Sequence, residues 1–473
     1  MTSPVDIPRQ APRFAEELHA IEGADAHTKI DLIQTIYEGV EFHDSGIMYS
    51  MQYLDEAGIR PFVESDFPPG IPTPTGTPSA AAYLHGENSL MAAGWYLAAQ
   101  SFRFRATQAP EALEQARKAL RSLCIVYDLG VKAGRTGWMC KPYGFQYSEQ
   151  TSGDQYLAAC YGLYHFQALA TPEEREQIRK MVCDFADYWI SIDHVYTYHG
   201  NSWDQKCNLF GYNAIHLMVC AWAYAISGDV VYRDKAEEFK ERALWHKTTQ
   251  IEQRREQANA QIAAGEDLNL WANPRFPFAN QFLQPGEILC WEQVSLSTFV
   301  FAAVDILQGT CPELLPAEPA TFLDPWFHQW KYGMPEEDFH AYYWFAVDLV
   351  KDTWRPLPST EPGPKEEWPF GNLLLSYVSQ MRWNDPLARN MNNYSIALSL
   401  VPELREEAGR LIHCVMDKLK WQHLLWIYDP DGNQLLKDLR DRGRCLSSEV
   451  PASVLAAWWR LQLEERDDGG RGE

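Results

Sequence analysis

No run of about 18 consecutive apolar residues occurs in the chain, so the sequence offers no bilayer-spanning helix. Positive charge is scarce: 41 Lys and Arg face 64 Asp and Glu, a net charge of −23. Neutralising a phosphate backbone needs a dense basic face, and its absence argues against a nucleic-acid partner. The opening residues MTSPVDIPRQAPRF lack the basic and apolar regions of a secretory signal, which reads as a cytoplasmic protein. HExxH, CxxC, EF-hand, P-loop, GxGxxG and GxSxG patterns are all missing, so no metal and no cofactor is expected. The HGE at residues 85–87 is not followed by the PCxxC of a zinc deaminase. The ten cysteines stand mostly singly in apolar helical segments, as Cys124, Cys160, Cys183, Cys220 and Cys414 do, where they act as small buried hydrophobes.

What is present is helix after helix. With 46% hydrophobic residues in 473, the chain can bury a large core. Segments apolar all round alternate with amphipathic ones. The apolar set comprises residues 85–100, 151–166, 208–227, 291–307, 368–381 and 447–462. Between them lie charged helices over 110–129, 171–192, 229–247, 338–352 and 402–420. In the second, Thr171 N-caps, Pro172 occupies N1 and Glu174 closes a capping box, while Ile178, Met181, Val182, Phe185 and Trp189 share a buried face. A helix apolar all round belongs inside, and an amphipathic one covers it.

Before this region, residues near 13–21 and 27–39 read as helices, and 65–79, with five prolines, reads as a loop. The organisation predicted is an N-terminal extension over 1–78, a helical unit over 79–465 and a disordered tail over 466–473. Sheet is expected only in loops such as 425–436.

Two stretches are built alike: HGENSLMAAGWYLAAQ at 85–100 and TSGDQYLAACYGLYHF at 151–166. Each sets a polar cluster with a carboxylate, Glu87 or Asp154, at the start of a small-residue helix. An acid there also answers the unpaired NH groups and dipole of a helix N-terminus, so position alone does not make it catalytic. Two such acids on one rim would suit glycosidic chemistry, in which one carboxyl donates a proton and its ionised partner activates water or attacks the sugar.

Six apolar helices alternating with amphipathic ones resemble, over residues 79–465, the (α/α)6 barrel of the six-hairpin glycosidases, in which six outer helices cover six inner ones. The motifs around Glu87 and Asp154 resemble those of unsaturated glucuronyl and rhamnogalacturonyl hydrolases. That resemblance implies an all-α toroid with long rim loops, Asp154 as general acid/base and Glu87 as second acid. This chain has Glu where those families usually have Asp.

Candidate substrate-binding residues gather at the same predicted rim. His85 and Asn88 flank Glu87, and Gln155 follows Asp154. The loop 134–154 supplies Arg135, Trp138, Lys141 and Tyr143: aromatic faces suit sugar rings, and a cation grips a uronate. His199 and Trp203 precede the third apolar segment, and Trp291 opens the fourth. Glu292 and Glu449 rank lower, as acids in a first helical turn. The expected activity is exo-acting hydrolysis of a uronic-acid-containing oligosaccharide. A lyase or epimerase with a Tyr or His base, and a non-catalytic toroid that binds a glycan or protein, stay open. Oligomeric state is not legible.

Overall fold

A computed structural model describes residues 14–55, 58–67, 73, 75–206, 210–243, 246–268, 282–289, 292–315, 318–320, 323, 345–351, 353–356, 385–425 and 444–469. The described chain is mostly helical. In order run α1 (Ala15–Ala20), α2 (Ala26–Val40), α3 (Ala80–Gly86), α4 (Ser89–Thr107), α5 (Pro110–Lys132), α6 (Gly153–Phe166) and α7 (Pro172–Ser191). There follow α8 (Phe210–Ser227), α9 (Val230–Ala243), α10 (His246–Ala264), α11 (Glu292–Thr310), α12 (Asp385–Leu400), α13 (Arg405–Lys418) and α14 (Glu449–Gly469). None of the described helices is long and apolar enough to cross a membrane.

The apolar helices pack side by side. Helix α4 lies against α6 and α14, α8 against α6 and α11, and α12 against α11 and α14. Amphipathic partners flank them, with α5 on α4, α7 and α9 on α8, and α13 on α12. Trp95, Trp189, Trp222 and Trp458 are fully buried between these layers. Helices α4 and α6 come together on glycine: a Cβ on Gly94 would stand 2.1 Å from the Ala158 carbonyl oxygen, and one on Gly162 2.4 Å from that of Gly94. The α7 capping box forms as its sequence predicts, with Thr171 Oγ1 accepting from Glu174 N at 3.2 Å and Glu174 Oε2 from Thr171 N at 2.8 Å.

Several expectations are corrected. The segment 85–100 is not one helix but parts at Glu87–Asn88, because the Asn88 amide that would continue α3 donates to Ser50 Oγ at 2.7 Å. The predicted helix over 338–352 contains β6 (Phe345–Asp348), which pairs antiparallel with both β5 (Glu287–Leu289) and β7 (Thr353–Pro356). Residues 338–344 and 352 of that prediction lie outside the described residues. Helix α12 falls where no helix is predicted. The predicted apolar segment 368–381 lies outside the described residues. Helix α14 continues to Gly469, into the stretch expected to be a disordered tail.

Sheet is more widespread than predicted. Strand β1 (Met51–Asp55) lies between β2 (Gly58–Arg60) and β8 (Arg444–Ser447), joining the two ends of the chain. Strands β3 (Val195–Tyr198) and β4 (Asn201–Asp204) form a hairpin. In the predicted loop 425–436, Leu425 bridges Leu446, and 426–436 lies outside the described residues. Residues 15–55 are stitched to the C-terminal part: buried Lys29 donates to the Met416 and Asp417 carbonyls at 2.7 and 2.8 Å, at the C-terminal end of α13 where a cation is favoured.

Candidate active site

Glu87 sits at the α3–α4 junction, 1% exposed. Lys141 Nζ donates to its Oε1 at 2.6 Å and to its backbone oxygen at 2.9 Å. Tyr143 OH donates to Oε2 at 2.6 Å and Tyr198 OH to Oε1 at 2.5 Å. Burial by itself pushes this carboxyl up, but the Lys141 ammonium, with His199 and the hydrogen bonds from Lys141 and Tyr143, overrides it and holds Glu87 down at about 2. An acid so placed keeps no proton to give near neutral pH.

His199 adjoins this group. Its Nε2 lies 3.4 Å from Tyr143 OH and its Nδ1 2.9 Å from the Thr75 carbonyl, while its amide donates to Gln150 Oε1 at 2.7 Å. Burial lowers its pKa, Glu87 opposing, so the ring is neutral at pH 7. His199 also holds a left-handed backbone, φ 47°.

Beside Glu87 the network turns to the other helices. Asn88 occupies the N-cap position of α4 without capping it; its Nδ2 crosses to Glu449 Oε2, 3.2 Å away in the first turn of α14. Glu449 Oε1 lies 3.7 Å from Arg389 Nη2, and the same nitrogen stands 4.0 Å from Asp154 Oδ2. Arg389 is buried on α12, with its guanidinium over the Phe299 ring at 5.4 Å. Asp154, in the first turn of α6, keeps a fifth of its side chain exposed. Ser152, the N-cap residue, donates its hydroxyl to Asp154 Oδ1 rather than capping the helix, and the Gln155 backbone N–H donates to the same oxygen at 2.9 Å. Glu87–Asn88, Glu449, Arg389 and Asp154 thus form one continuous polar chain across four helices.

Comparison with known proteins adds little. No protein-family model matches the chain, and no curated protein matches it. Among solved structures it is similar to one described as the crystal structure of D-mannose isomerase, with a TM-score of 0.45 at 11% identity over 92% of this chain and 97% of that one.

The candidate binding residues scatter by role. Gln155 is fully buried near Asp154, with neither amide atom partnered. Lys141 is consumed by Glu87, and Arg135 is paired with Glu149 at 2.5 Å, so the two cations expected to grip a uronate are both engaged. Trp138 and Tyr143, expected as sugar platforms, are 2% and 1% exposed; Trp138 donates to the Ser148 carbonyl and packs on Tyr188. The first part of this loop is pinned to α6, since Tyr156 OH accepts from Met139 N at 2.8 Å and donates to Gly137 O at 2.9 Å. The His85 ring is engaged elsewhere: its Nε2 meets the Phe62 carbonyl at 3.0 Å, it stacks on Phe145, and burial takes it down to about 4. Trp203 lies on β4 opposite Tyr196. Trp291 and the Glu292 side chain lie outside the described residues.

Sequence reasoning missed Arg389 and Tyr198, and ranked Glu449 low. A lone Arg within LARNMNNYS carries no motif; the one available signal was the density of polar residues in an otherwise apolar setting. Among the described residues no group of three or more His, Cys, Asp or Glu is arranged to hold a metal.

Proposed function

We propose that the chain is a glycoside hydrolase of six-hairpin, (α/α)6 toroid type, exo-acting on an oligosaccharide, in which Asp154 and Glu449 are the working carboxylates. The cyclic order of packing among α4, α6, α8, α11, α12 and α14 supports the architecture. One observation carries the chemistry: a single nitrogen of Arg389 lies within 4.0 Å of Asp154 and 3.7 Å of Glu449. This keeps the two carboxylates no further apart than the acid pairs of glycosidases, which stand roughly 5–9.5 Å from one another. Asp154, the part-exposed member, exchanges the proton with the leaving oxygen. Glu449, bound by Arg389 and Asn88, is the ionised partner.

Glu87 leaves the role given to it by resemblance, because its oxygens are taken up by Lys141, Tyr143 and Tyr198. It acts as the anchor that sets Asn88. The uronic-acid element of the expectation loses Arg135 and Lys141, the cations it rested on. The test is turnover of a panel of nitrophenyl glycosides. Asp154→Asn and Glu449→Gln should each lower it by about 10²–10⁴-fold with helix content unchanged; near-normal turnover in both defeats the proposal.

A second reading, sugar isomerisation or epimerisation, is favoured by His199, a neutral imidazole near Tyr143 OH and suited to abstract a proton next to a carbonyl. It predicts exchange of a carbon-bound hydrogen of a reducing sugar for solvent deuterium without glycosidic cleavage, lost in His199→Gln.

A further inference from the structure

We propose that Glu41 is a positioning residue whose protonation governs Glu449: from the C-terminal end of α2 it holds Ser448, and its ionisation slackens that hold. This assigns a means of regulation to the acid pair proposed above and rests on that reading. Ser448 immediately precedes Glu449 and the start of α14. Each of its polar groups is tied to the N-terminal segment. Its hydroxyl donates to Glu41 Oε2 at 2.5 Å, its carbonyl accepts from Tyr37 OH at 2.9 Å, and its amide donates to the Ser50 carbonyl at 3.0 Å. Glu41, Tyr37, Ser50 and Ser448 are all buried, so these bonds form away from bulk water.

The direction of control follows from where Glu41 stands. It is the C-cap of α2, where the helix dipole opposes a negative charge. Burial pushes its carboxyl up to about 8, and the Ser448 bond opposes this only in part. Among the described residues, the groups that share its field are Tyr37 on α2, Tyr49, and Tyr96 on α4. Glu449 reaches the same Tyr37 from α14, Asp44 reaches Tyr49, and Glu38 and Arg103, paired at 3.2 Å, reach Tyr96. His43 turns to Ser45 and stacks on Phe145. Arg103, the cation of this set, is thus already engaged. Once ionised, the Glu41 carboxylate is stabilised chiefly by moving towards water, which draws it off Ser448. Glu449 then loses alignment with Asn88 and Arg389, and a small displacement of a reacting group is costly in rate.

The experiment follows kcat and KM for nitrophenyl glycosides on the full chain between about pH 6 and 9.5, beside amide hydrogen exchange at the start of α14, corrected for the intrinsic base-catalysed rate. In the parent chain kcat should fall by about 10-fold through a step near pH 8, with KM nearly unchanged. Exchange at the start of α14 should quicken through the same step while that of α7 stays level. Glu41→Gln, which cannot ionise and still offers Ser448 a carbonyl acceptor, should lose both steps. Ser448→Ala cuts the tie itself; it should be slow at every pH without a step, and it gives the same reading if Glu41→Gln fails to fold. A purely structural Glu41 would shift the melting temperature of its variant and leave the kcat step in place. If glycosides are cleaved and the parent chain shows no alkaline step in kcat, or the step survives in Glu41→Gln, the inference is overturned and the hydrolase reading stands. If no glycoside is cleaved at any pH, the hydrolase reading fails and exchange decides alone. A step near pH 8 that Glu41→Gln removes then upholds the control of α14 by Glu41, and its absence overturns that as well.

Discussion

Asn88 and Glu449, 361 residues apart in the chain, meet at 3.2 Å where the first turns of α4 and α14 come side by side. Ser50 aligns both. Its hydroxyl accepts the Asn88 amide at 2.7 Å and its carbonyl accepts the Ser448 amide at 3.0 Å. The N-terminal segment thereby sets the geometry of the proposed acid pair without contributing a catalytic group.

Replacing Asn88 tests that linkage. Asn88→Ala leaves a buried carboxylate without one of its donors, at a cost of about 1–3 kcal/mol in urea unfolding. Asn88→Asp sets like charges against each other and should lower stability further. Ser50→Ala should reduce turnover more than stability, since its loss frees the orientation of Asn88.

Glu87 makes a pH prediction. Its folded pKa, about 2, lies below the ordinary 4.5, so its contribution to stability is complete above 4.5 and is lost as pH falls towards 2. Glu87→Gln should flatten that part of the acid limb in denaturation profiles. It also leaves the Lys141 ammonium buried without its carboxylate, with a loss of about 3–5 kcal/mol at neutral pH.

Glu41 predicts the opposite slope. It is fully buried, with Ser448 Oγ donating to it at 2.5 Å, and burial, only partly opposed by that bond, pushes its carboxyl up to about 8 from the ordinary 4.5. The folded state therefore holds a proton that the unfolded chain releases, and stability falls as pH rises from 4.5 to 8. Glu41→Gln should remove that decline, read as melting temperature against pH.

The α4–α6 contact admits no side chain at two points. Gly94→Ala and Gly162→Ala each drive a methyl into a backbone oxygen, and parting the helices should cost about 1–3 kcal/mol or more in thermal unfolding.

Much of the helical pattern was legible because it is local. The α7 capping box, the amphipathic face of α5 and the small-residue strips of α4 and α6 follow from residues within a turn or two of one another, where periodicity carries the information. Helix α12 escaped because buried Asn and Arg side chains look like surface until their neighbours are known. Strand β6 was misread for a related reason: a short apolar run fits a buried strand as well as a helix, and only its two pairing partners decide.

By itself, then, the sequence determined a large, acidic, mainly helical protein with carboxylates at the starts of two apolar helices, since composition and helical period are properties of contiguous residues. Only the tertiary structure decided what those carboxylates do. Lys141, Tyr143 and Tyr198 converge on Glu87 from distant segments and hold it ionised, while Arg389 arrives from the other end of the chain to stand near both Glu449 and Asp154. A carboxylate's proton affinity is set by the charges and donors packed around it, and those neighbours exist only once the helices have come together.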